Sequence, residues 1–152
     1  MGLRRTAQIA RTSQVGSRKQ PKQGWWPQRR TIWSCQAARG PLLTRYYLIE
    51  TRWFAIYLHH LHASDEDRAL HDHPWAFWTF LFSRGYYEWT PTGRYWRRRF
   101  SLLRRPALWA HRLELLRPTW TLILRGPYVR EWGFHTATGW QPWAAYGEEY
   151  CD

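Results

Sequence analysis

The feature that most constrains this chain is a series of short apolar runs that begins near residue 42 and is broken repeatedly by turn residues. Each run is short for a helix and rich in aromatic and aliphatic side chains, which suit the half-buried surface of a sheet. Glycine and proline separate the runs, for example at Thr90–Gly93 and at Gly126-Pro127. A spacing of about 8–12 residues between such runs, with no convincing helix in the sequence, predicts an all-β sandwich or barrel.

The chain contains 13 Trp, 9 Tyr and 6 Phe, so it has enough apolar surface for a packed core. Side chains alternate between the two faces of a strand, so the arginines at 97–99 and 104–105 cannot all lie on one face. We interpret that cluster as a solvated outer surface. The runs on either side of the turn at 90–93 predict a hairpin. The predicted strands are Leu42–Ile49, Trp53–Leu61, Trp75–Phe82, Tyr86–Trp89, Tyr95–Leu103, His111–Leu116, Thr119–Leu124 and Tyr128–Phe134.

The formal net charge of +12 is concentrated at the N-terminus. Residues 1–49 hold ten of the 23 basic residues and no acidic residue, so the rest of the chain is close to neutral. Residues 1–30 are polar and show no apolar period, which predicts a flexible basic tail before a folded domain at 31–152. The tail is either a solvated extension or a weak, nonspecific contact for the phosphates of nucleic acid.

Neither the hydropathy nor the cysteines indicate a membrane or an oxidising compartment. No apolar run approaches the ~20 residues that a membrane span needs. The basic N-terminus is not followed by the apolar stretch of a secretory signal. Cys35 and Cys151 match no metal or redox spacing, and we interpret them as unpaired thiols in a reducing environment. The sequence therefore predicts a cytoplasmic protein with no membrane partner.

Three histidines form the sharpest candidate site. His71 and His73 lie two residues apart in the sequence His-Asp-His-Pro-Trp, and on an extended chain they point to the same side. Imidazole is a common ligand for zinc, iron, nickel and copper. His111 begins a later predicted strand, and a barrel can place it opposite the first pair. Three neutral ligands with open positions are typical of a reactive metal site rather than a closed structural one.

Around the first two histidines the sequence resembles the cupins, and the resemblance covers roughly residues 42–145. The first cupin motif is H-x-H, then an acid after three or four residues, then a glycine seven positions later. Here Trp78 stands where the acid belongs, after His71 and His73. Gly85 falls in register with the glycine of the motif.

The second cupin motif is Pro-x-Gly followed by His, and Pro106, Leu108 and His111 match its frame with Leu108 in place of the glycine. The resemblance implies a cupin-type double-stranded β-helix, or jelly-roll barrel, around a divalent metal bound by the three histidines. The chain looks closest to small single-domain cupins of bacterial and phage genomes, which share three sequence blocks with it. In this chain those blocks are His71–Trp75, His111–Leu115 and Arg130–His135.

The absence of the motif's acid predicts a site of three histidines without a carboxylate. Thiol dioxygenases are similar in that three histidines hold Fe(II), so the resemblance favours Fe(II), with zinc, nickel or manganese as alternatives. Asp72 lies between two inward histidines and should point outward into a salt bridge, and Glu114 should face away from the site. Glu88 and Glu131 remain as candidates for a fourth ligand.

Three residues are predicted to line the pocket near the metal. Trp78, in the register of the acid, is expected to form a wall that excludes water. His59 is expected to approach the cavity beside Tyr57, because its neighbours His60 and His62 belong to the opposite face of the strand, where surface roles are expected.

Two arginines and one histidine are further candidates for catalysis or substrate binding. Arg125 and Arg130 are expected either to anchor an anionic substrate or to pair with Glu131 or Glu114. His135 is expected either to line the mouth of the pocket as a general base, with Arg130 beside it, or to make a structural hydrogen bond.

The sequence supports three functions from different classes. The first is a metal-dependent oxidoreductase, similar to an Fe(II) dioxygenase, that acts on a small molecule. The second is a non-catalytic cupin that binds a metal and a small ligand. The third is a nucleic-acid-associated protein that uses residues 1–30. The sequence leaves open whether the chain forms a homodimer.

Overall fold

The structure is a computed structural model that describes residues 27–34, 40–66 and 69–150 of the 152-residue chain. In this part of the chain twelve strands are followed by one short helix. The elements are β1 (Arg29–Trp33), β2 (Pro41–Glu50), β3 (Ala55–Leu61), β4 (Leu70–His71), β5 (Phe77–Leu81), β6 (Tyr86–Thr90), β7 (Gly93–Arg97), β8 (Leu102–Arg105), β9 (Arg112–Glu114), β10 (Thr119–Arg125), β11 (Gly133–Thr136), β12 (Gly139–Pro142) and α1 (Trp143–Tyr150).

The strands form one large sheet and two small ones. The large sheet has six strands in the order β1-β2-β3-β10-β5-β8, and the small sheets have the orders β12-β11-β4 and β7-β6-β9. Every paired ladder is antiparallel. The predicted all-β class is therefore confirmed, including the hairpin of β6 and β7, in which Thr90 lies opposite Gly93 across the predicted turn.

The strands of the large sheet bury every second side chain. In β3, Ala55, Tyr57, His59 and Leu61 are buried, and the residues between them are partly exposed. β5 and β10 follow the same period of two. One face of the sheet therefore lines the interior, as the alternation of a pleated strand requires.

The interior contains two apolar clusters with polar side chains between them. The inward residue between the two clusters is polar on both strands: His59 on β3 and Thr79 on β5. A third polar residue, Thr121 of β10, lies opposite His59. A buried polar layer of this kind is expected around a binding site rather than in a purely structural core. The clusters are Ala55, Tyr57, Phe77 and Ile123, and Leu61, Leu81 and Tyr86; the polar residues are His59, Thr79 and Thr121.

The sequence shows no convincing helix, whereas the structure has one short helix, α1, directly after the last strand. Trp143 stacks on Trp132 with ring centroids 5.8 Å apart, and Tyr146 stacks on Phe134 at 4.1 Å. These contacts hold a segment that is too short to show a helical period in its sequence. Within the described residues, no helix has the length and apolar character that crossing a membrane requires.

Strands at the edges of the sheets also differ from the prediction. β1 starts at Arg29, two residues before the predicted domain boundary, and pairs with β2 while most of its side chains stay exposed. The strand predicted at Tyr128–Phe134 is shorter and later, because β11 begins only at Gly133. The predicted tail up to residue 26, together with Cys35 and Cys151, lies outside the described residues.

Candidate metal centre

The structure brings His71, His73 and His111 together from two separate segments. One nitrogen of each ring lies within 4.8 Å of those of the other two, and the ring centroids are 5.0 or 5.1 Å apart. The two Nε2 atoms of His73 and His111 are 2.8 Å apart. His71 and His111 face each other across an antiparallel bridge, in which each backbone N–H donates to the other's carbonyl oxygen at 2.8 and 2.9 Å.

The backbone of residues 71–73 is held by three different parts of the chain. His71 is held by its bridge to His111, and the N–H of Asp72 donates to the carbonyl oxygen of Gly133 at 3.0 Å. The N–H of His73 donates to the carbonyl oxygen of Ala107, also at 3.0 Å. Because each peptide has its own partner, the two histidines keep a fixed direction without help from a bound ion.

Aromatic rings shield the histidines from water. Phe77 packs edge-on against His73 at 4.6 Å, and Trp132 and Phe134 lie 6.3 and 6.1 Å from His71. Burial lowers the pKa of His71 to about 4. Burial, and then the neighbouring histidines, lower the pKa of His73 well below its ordinary value of 6.5. Both rings are therefore neutral at pH 7, which is the form that binds a metal.

Glu88 is the buried carboxylate behind this cluster. Its Oε1 lies 2.8 Å from Nδ1 of His111 and accepts hydrogen bonds from Nε of Arg105 at 2.7 Å and from Nε1 of Trp109 at 3.1 Å. Its Oε2 accepts from Nε of Arg97 at 2.6 Å and also contacts Nη2 of Arg105. Glu88 is thus fully paired, although it is almost inaccessible to solvent.

Glu88 fixes the state of His111 rather than adding a ligand. Burial alone would raise the pKa of Glu88, but the hydrogen bonds from His111 and Arg105 outweigh burial and lower it. An ionised carboxylate accepts hydrogen bonds only, so Nδ1 of His111 carries a proton and Nε2 is the nitrogen that faces His73. In the part of the chain that the structure describes, no carboxylate joins the three histidines.

Asp72 points away from the histidines, as predicted, but it is fully buried. Its Oδ1 accepts from the N–H of Gly133 at 2.8 Å. Its Oδ2 accepts from Nε1 of Trp140 at 3.0 Å and lies 3.2 Å from Nε2 of His135. Nη1 of Arg130 lies 2.7 Å from the same oxygen, an ion pair without hydrogen-bond alignment. Burial would raise the pKa of Asp72, yet these partners lower it.

His135 and Arg130 therefore do not reach the three histidines. Phe134 lies opposite His71 in the ladder of β11 and β4, so the next residue, His135, faces the other side of that sheet. The catalytic roles predicted for His135 and Arg130 at the pocket mouth are not what the geometry provides. The structural hydrogen bond, which was the alternative for His135, is what the structure contains.

Trp78 is also placed differently from its prediction. It lies on the outer face of the large sheet, is 41% exposed, and borders an open groove of about 390 Å³ with Arg104 and Leu124. Phe77 is the inward residue, 6% exposed and in contact with His73. The cupin motif allows three or four residues between its second histidine and its acid. Because Phe77 rather than Trp78 faces inward on β5, the structure matches the shorter spacing.

Tyr57 and His59 line the interior, as predicted, and Arg125 is buried beside Tyr57. The Tyr57 hydroxyl donates to Oε1 of Glu50 at 2.7 Å and accepts from Nε of Arg125 at 3.2 Å. Arg125 also pairs with Glu50 at 3.3 Å, so its partner is neither of the acids expected from the sequence. The His59 ring stacks on Tyr57 at 5.9 Å and accepts from Nε of Arg45 at 3.0 Å.

His60 and His62 lie outside this interior, on the opposite face of the sheet. The His60 ring stacks in parallel on Trp120 at 4.2 Å, and Nε2 of His62 lies 2.8 Å from the hydroxyl of Thr44. Neither histidine belongs to the cluster of three.

Sequence reasoning missed Phe77 and Arg45, and it considered Glu88 as a fourth ligand rather than as the hydrogen-bond partner of His111. Phe77 was within reach, because the alternative spacing of the cupin motif points to it. The roles of Glu88 and Arg45 depend on which side chains meet across the barrel, and a local pattern does not contain that information.

Comparisons with known proteins support the fold and leave the activity open. No family model matches the chain, and no curated protein matches it. Among solved structures, a cupin-2 domain from Rhodospirillum rubrum aligns with a TM-score of 0.59 at 13% identity, covering 78% of this chain and 82% of that one. At this identity the likeness shows the fold alone, which is the cupin-type double-stranded β-helix.

Other similar structures align less closely. An uncharacterised conserved protein with a double-stranded β-helix domain from Klebsiella pneumoniae has a TM-score of 0.49 at 15% identity, covering 59% of this chain and 81% of that one. The KdgF protein of a Halomonas species has a TM-score of 0.49 at 12% identity, covering 57% and 82%.

Proposed function

We propose that this chain, which has the cupin fold, binds one divalent transition metal through His71, His73 and His111 and takes a small molecule at the metal. The observation that carries the proposal is the cluster itself, in which three imidazole nitrogens, one on a buried ring and two on partly buried rings, converge. The donor set fits the metal: burial keeps His71 and His73 neutral, and Glu88 engages Nδ1 of His111, so that Nε2 is the nitrogen directed at the cluster. Imidazole ligands of this kind suit iron, zinc and nickel.

The reaction class that we propose is oxidation of a small molecule, with Fe(II) as the favoured metal and zinc, nickel or manganese as alternatives. A bound Fe(II) would supply redox chemistry with oxygen, and its three neutral ligands would leave positions for the substrate. The residues of this chain hold and flank the site: Phe77, Trp132 and Phe134 pack beside the ligand rings.

The test measures the metal content per chain of protein purified without added metal. We expect close to one transition metal per wild-type chain, and most of it should be lost in His71→Ala, His73→Ala and His111→Ala. His60→Ala and His62→Ala are matched controls, because these histidines lie on the outer face. Circular dichroism checks the fold of each variant. Full metal content in the His111 variant, with loss in a control, would overturn the proposal.

A non-catalytic protein that binds a metal and a small ligand is the second candidate function. The observation in its favour is that His135 and Arg130, the expected catalytic side chains, are both engaged by Asp72. The two functions differ in metal and in turnover. Consumption of oxygen by the iron-loaded protein with a substrate supports the oxidoreductase, and zinc or nickel without turnover supports the binding protein.

A further inference from the structure

Arg45 is an arginine on the inward face of β2. It lies directly opposite His59 of β3 in the ladder between the two strands. Its Nε donates to Nε2 of His59 at 3.0 Å. The carbon at the centre of its guanidinium lies 4.8 Å from the centroid of the Tyr57 ring, which is 2% exposed. The charged group therefore lies over the buried interior rather than in bulk water.

Arg45 differs from the other arginines that place their charge inside the fold, because each of those meets a carboxylate. Among the described residues, no carboxylate lies within ion-pair distance of Arg45. A partly buried charge without a counter-charge is unfavourable, so the site is suited to an anion that arrives with a ligand. The paired arginines are Arg97 and Arg105 with Glu88, Arg125 with Glu50, and Arg130 with Asp72.

Arg45 and His59 together present hydrogen-bond donors that are not used within the described part of the chain. The Nε of Arg45 is engaged, which leaves the N–H groups of Nη1 and Nη2. Nε2 of His59 accepts that bond, so the proton of the neutral ring is on Nδ1, which is a further donor. Burial, and then the charge of Arg45, lower the pKa of His59 well below its usual value, so the pair carries one positive charge.

This pair lies on the side of the interior that holds the three histidines. Tyr57, which stacks on His59, packs in one apolar cluster with Phe77. Phe77 in turn touches His73 at 4.6 Å. The charge of Arg45 is also close enough to lower the pKa of His73.

We infer that Arg45 and His59 form an anion subsite that binds the carboxylate group of the small molecule held at the metal centre. The position of that molecule rests on the proposed function, whereas binding of a carboxylate by the pair does not require the metal. A carboxylate is the chemical class that fits, because two guanidinium N–H groups match its two oxygens. The single charge of the pair also matches a monoanion.

The test titrates metal-free, isotope-labelled full-length protein with propionate at constant ionic strength and follows backbone and arginine Nε–H signals by NMR. Propionamide, which has the same shape without the charge, is the control ligand, and inorganic phosphate is the competing anion. We expect propionate to shift the signals of Arg45 and His59. Arg45→Gln should weaken propionate binding about 10- to 100-fold, and Arg45→Lys, which keeps the charge but loses the planar fork, should have an intermediate affinity.

Two control variants separate this inference from the metal centre. Arg94→Gln removes an arginine charge from an outer pair with Glu114 and should change propionate binding by less than about twofold. His71→Ala should lose the metal and keep propionate binding, so a failed metal centre and a failed subsite give different results. Equal binding of propionate by wild type and Arg45→Gln, equal binding of propionamide, or tighter binding of phosphate would overturn the carboxylate subsite. If the NMR spectrum of Arg45→Gln is that of an unfolded chain, the propionate affinity of Arg45→Lys decides the test instead.

Discussion

Glu88 determines which nitrogen of His111 is available to a metal, although Glu88 itself lies behind the cluster. Replacing it by Gln keeps the shape but removes the charge that fixes the proton on Nδ1. We expect Glu88→Gln to weaken metal binding about 10- to 100-fold, as is usual when the partner of a ligand histidine is lost. Competition with a metal-binding dye measures the affinity. The control is Glu114→Gln, which changes an outer carboxylate that also binds an arginine and a tryptophan. Equal metal affinities of the Glu88→Gln and Glu114→Gln variants would contradict the role of Glu88.

Trp78 and Phe77 provide a second test at the scale of single residues. The sequence alone predicts that Trp78→Glu adds a fourth metal ligand. Because Trp78 lies on the outer face, we now expect Trp78→Glu to leave metal affinity unchanged within about twofold. Phe77→Glu places its carboxylate beside His73 and should tighten metal binding, while the loss of a buried ring costs about 3–5 kcal/mol of stability in the metal-free protein. Tighter binding in Trp78→Glu would show that the register of β5 is wrong.

At the scale of elements, Asp72 connects the histidine segment to β11 and β12. Its partners are Gly133, His135 and Trp140 on these strands and Arg130 before them. Asp72→Asn leaves the charge of Arg130 without its counter-charge, and we expect a loss of about 3–5 kcal/mol in the free energy of unfolding. Urea titration measures this loss. Glu114→Gln, at an outer ion pair with Arg94, should cost less than about 1 kcal/mol.

The charge of Asp72 also predicts how this loss depends on pH. The pKa of Asp72 is lowered in the folded protein from its ordinary value of 3.8. Its contribution is therefore fully present above about pH 4 and is lost as the pH falls through the lowered pKa. The difference in stability between wild type and Asp72→Asn should shrink in strong acid, and a constant difference would mean that the ion pair does not carry the effect.

The sequence predicted the elements that are short apolar runs bounded by turn residues. The strands corresponding to β2, β3, β5 and β10 and the β6–β7 hairpin were recognised in this way, and β3, β5, β6 and β10 bury every second side chain in the structure. β1 and α1 were missed because β1 is an exposed edge and α1 is held by stacking against distant rings. The local His-x-His spacing likewise predicted the cluster, whereas the partners of its histidines come from contacts between strands that are distant in sequence.

At the scale of the whole molecule, the fold surrounds titratable groups with apolar clusters. Glu88 and Asp72 are buried as anions, and each is matched by arginines. His59 is buried and His71 and His73 are partly buried, and all three are neutral at pH 7 because burial lowers the pKa of each. The free energy of unfolding of the metal-free chain should therefore fall with decreasing pH, starting at a pH above that at which exposed carboxylates titrate.

We expect the metal-free protein to lose stability as the pH falls from about 6.5 toward 4. In the unfolded chain these histidines take up protons near pH 6.5, whereas the pKa of His71 in the folded protein is about 4, so acid favours the unfolded state. His71 alone contributes up to about 3 kcal/mol to this loss, since each unit of pKa difference corresponds to about 1.4 kcal/mol. Urea unfolding at pH 7, 6, 5 and 4 measures the effect, with His71→Gln as the matched variant because carboxylates titrate alike in both proteins. The curve of His71→Gln should be shallower over this range, and parallel curves would show that His71 does not enter the folded protein as a neutral, buried ring.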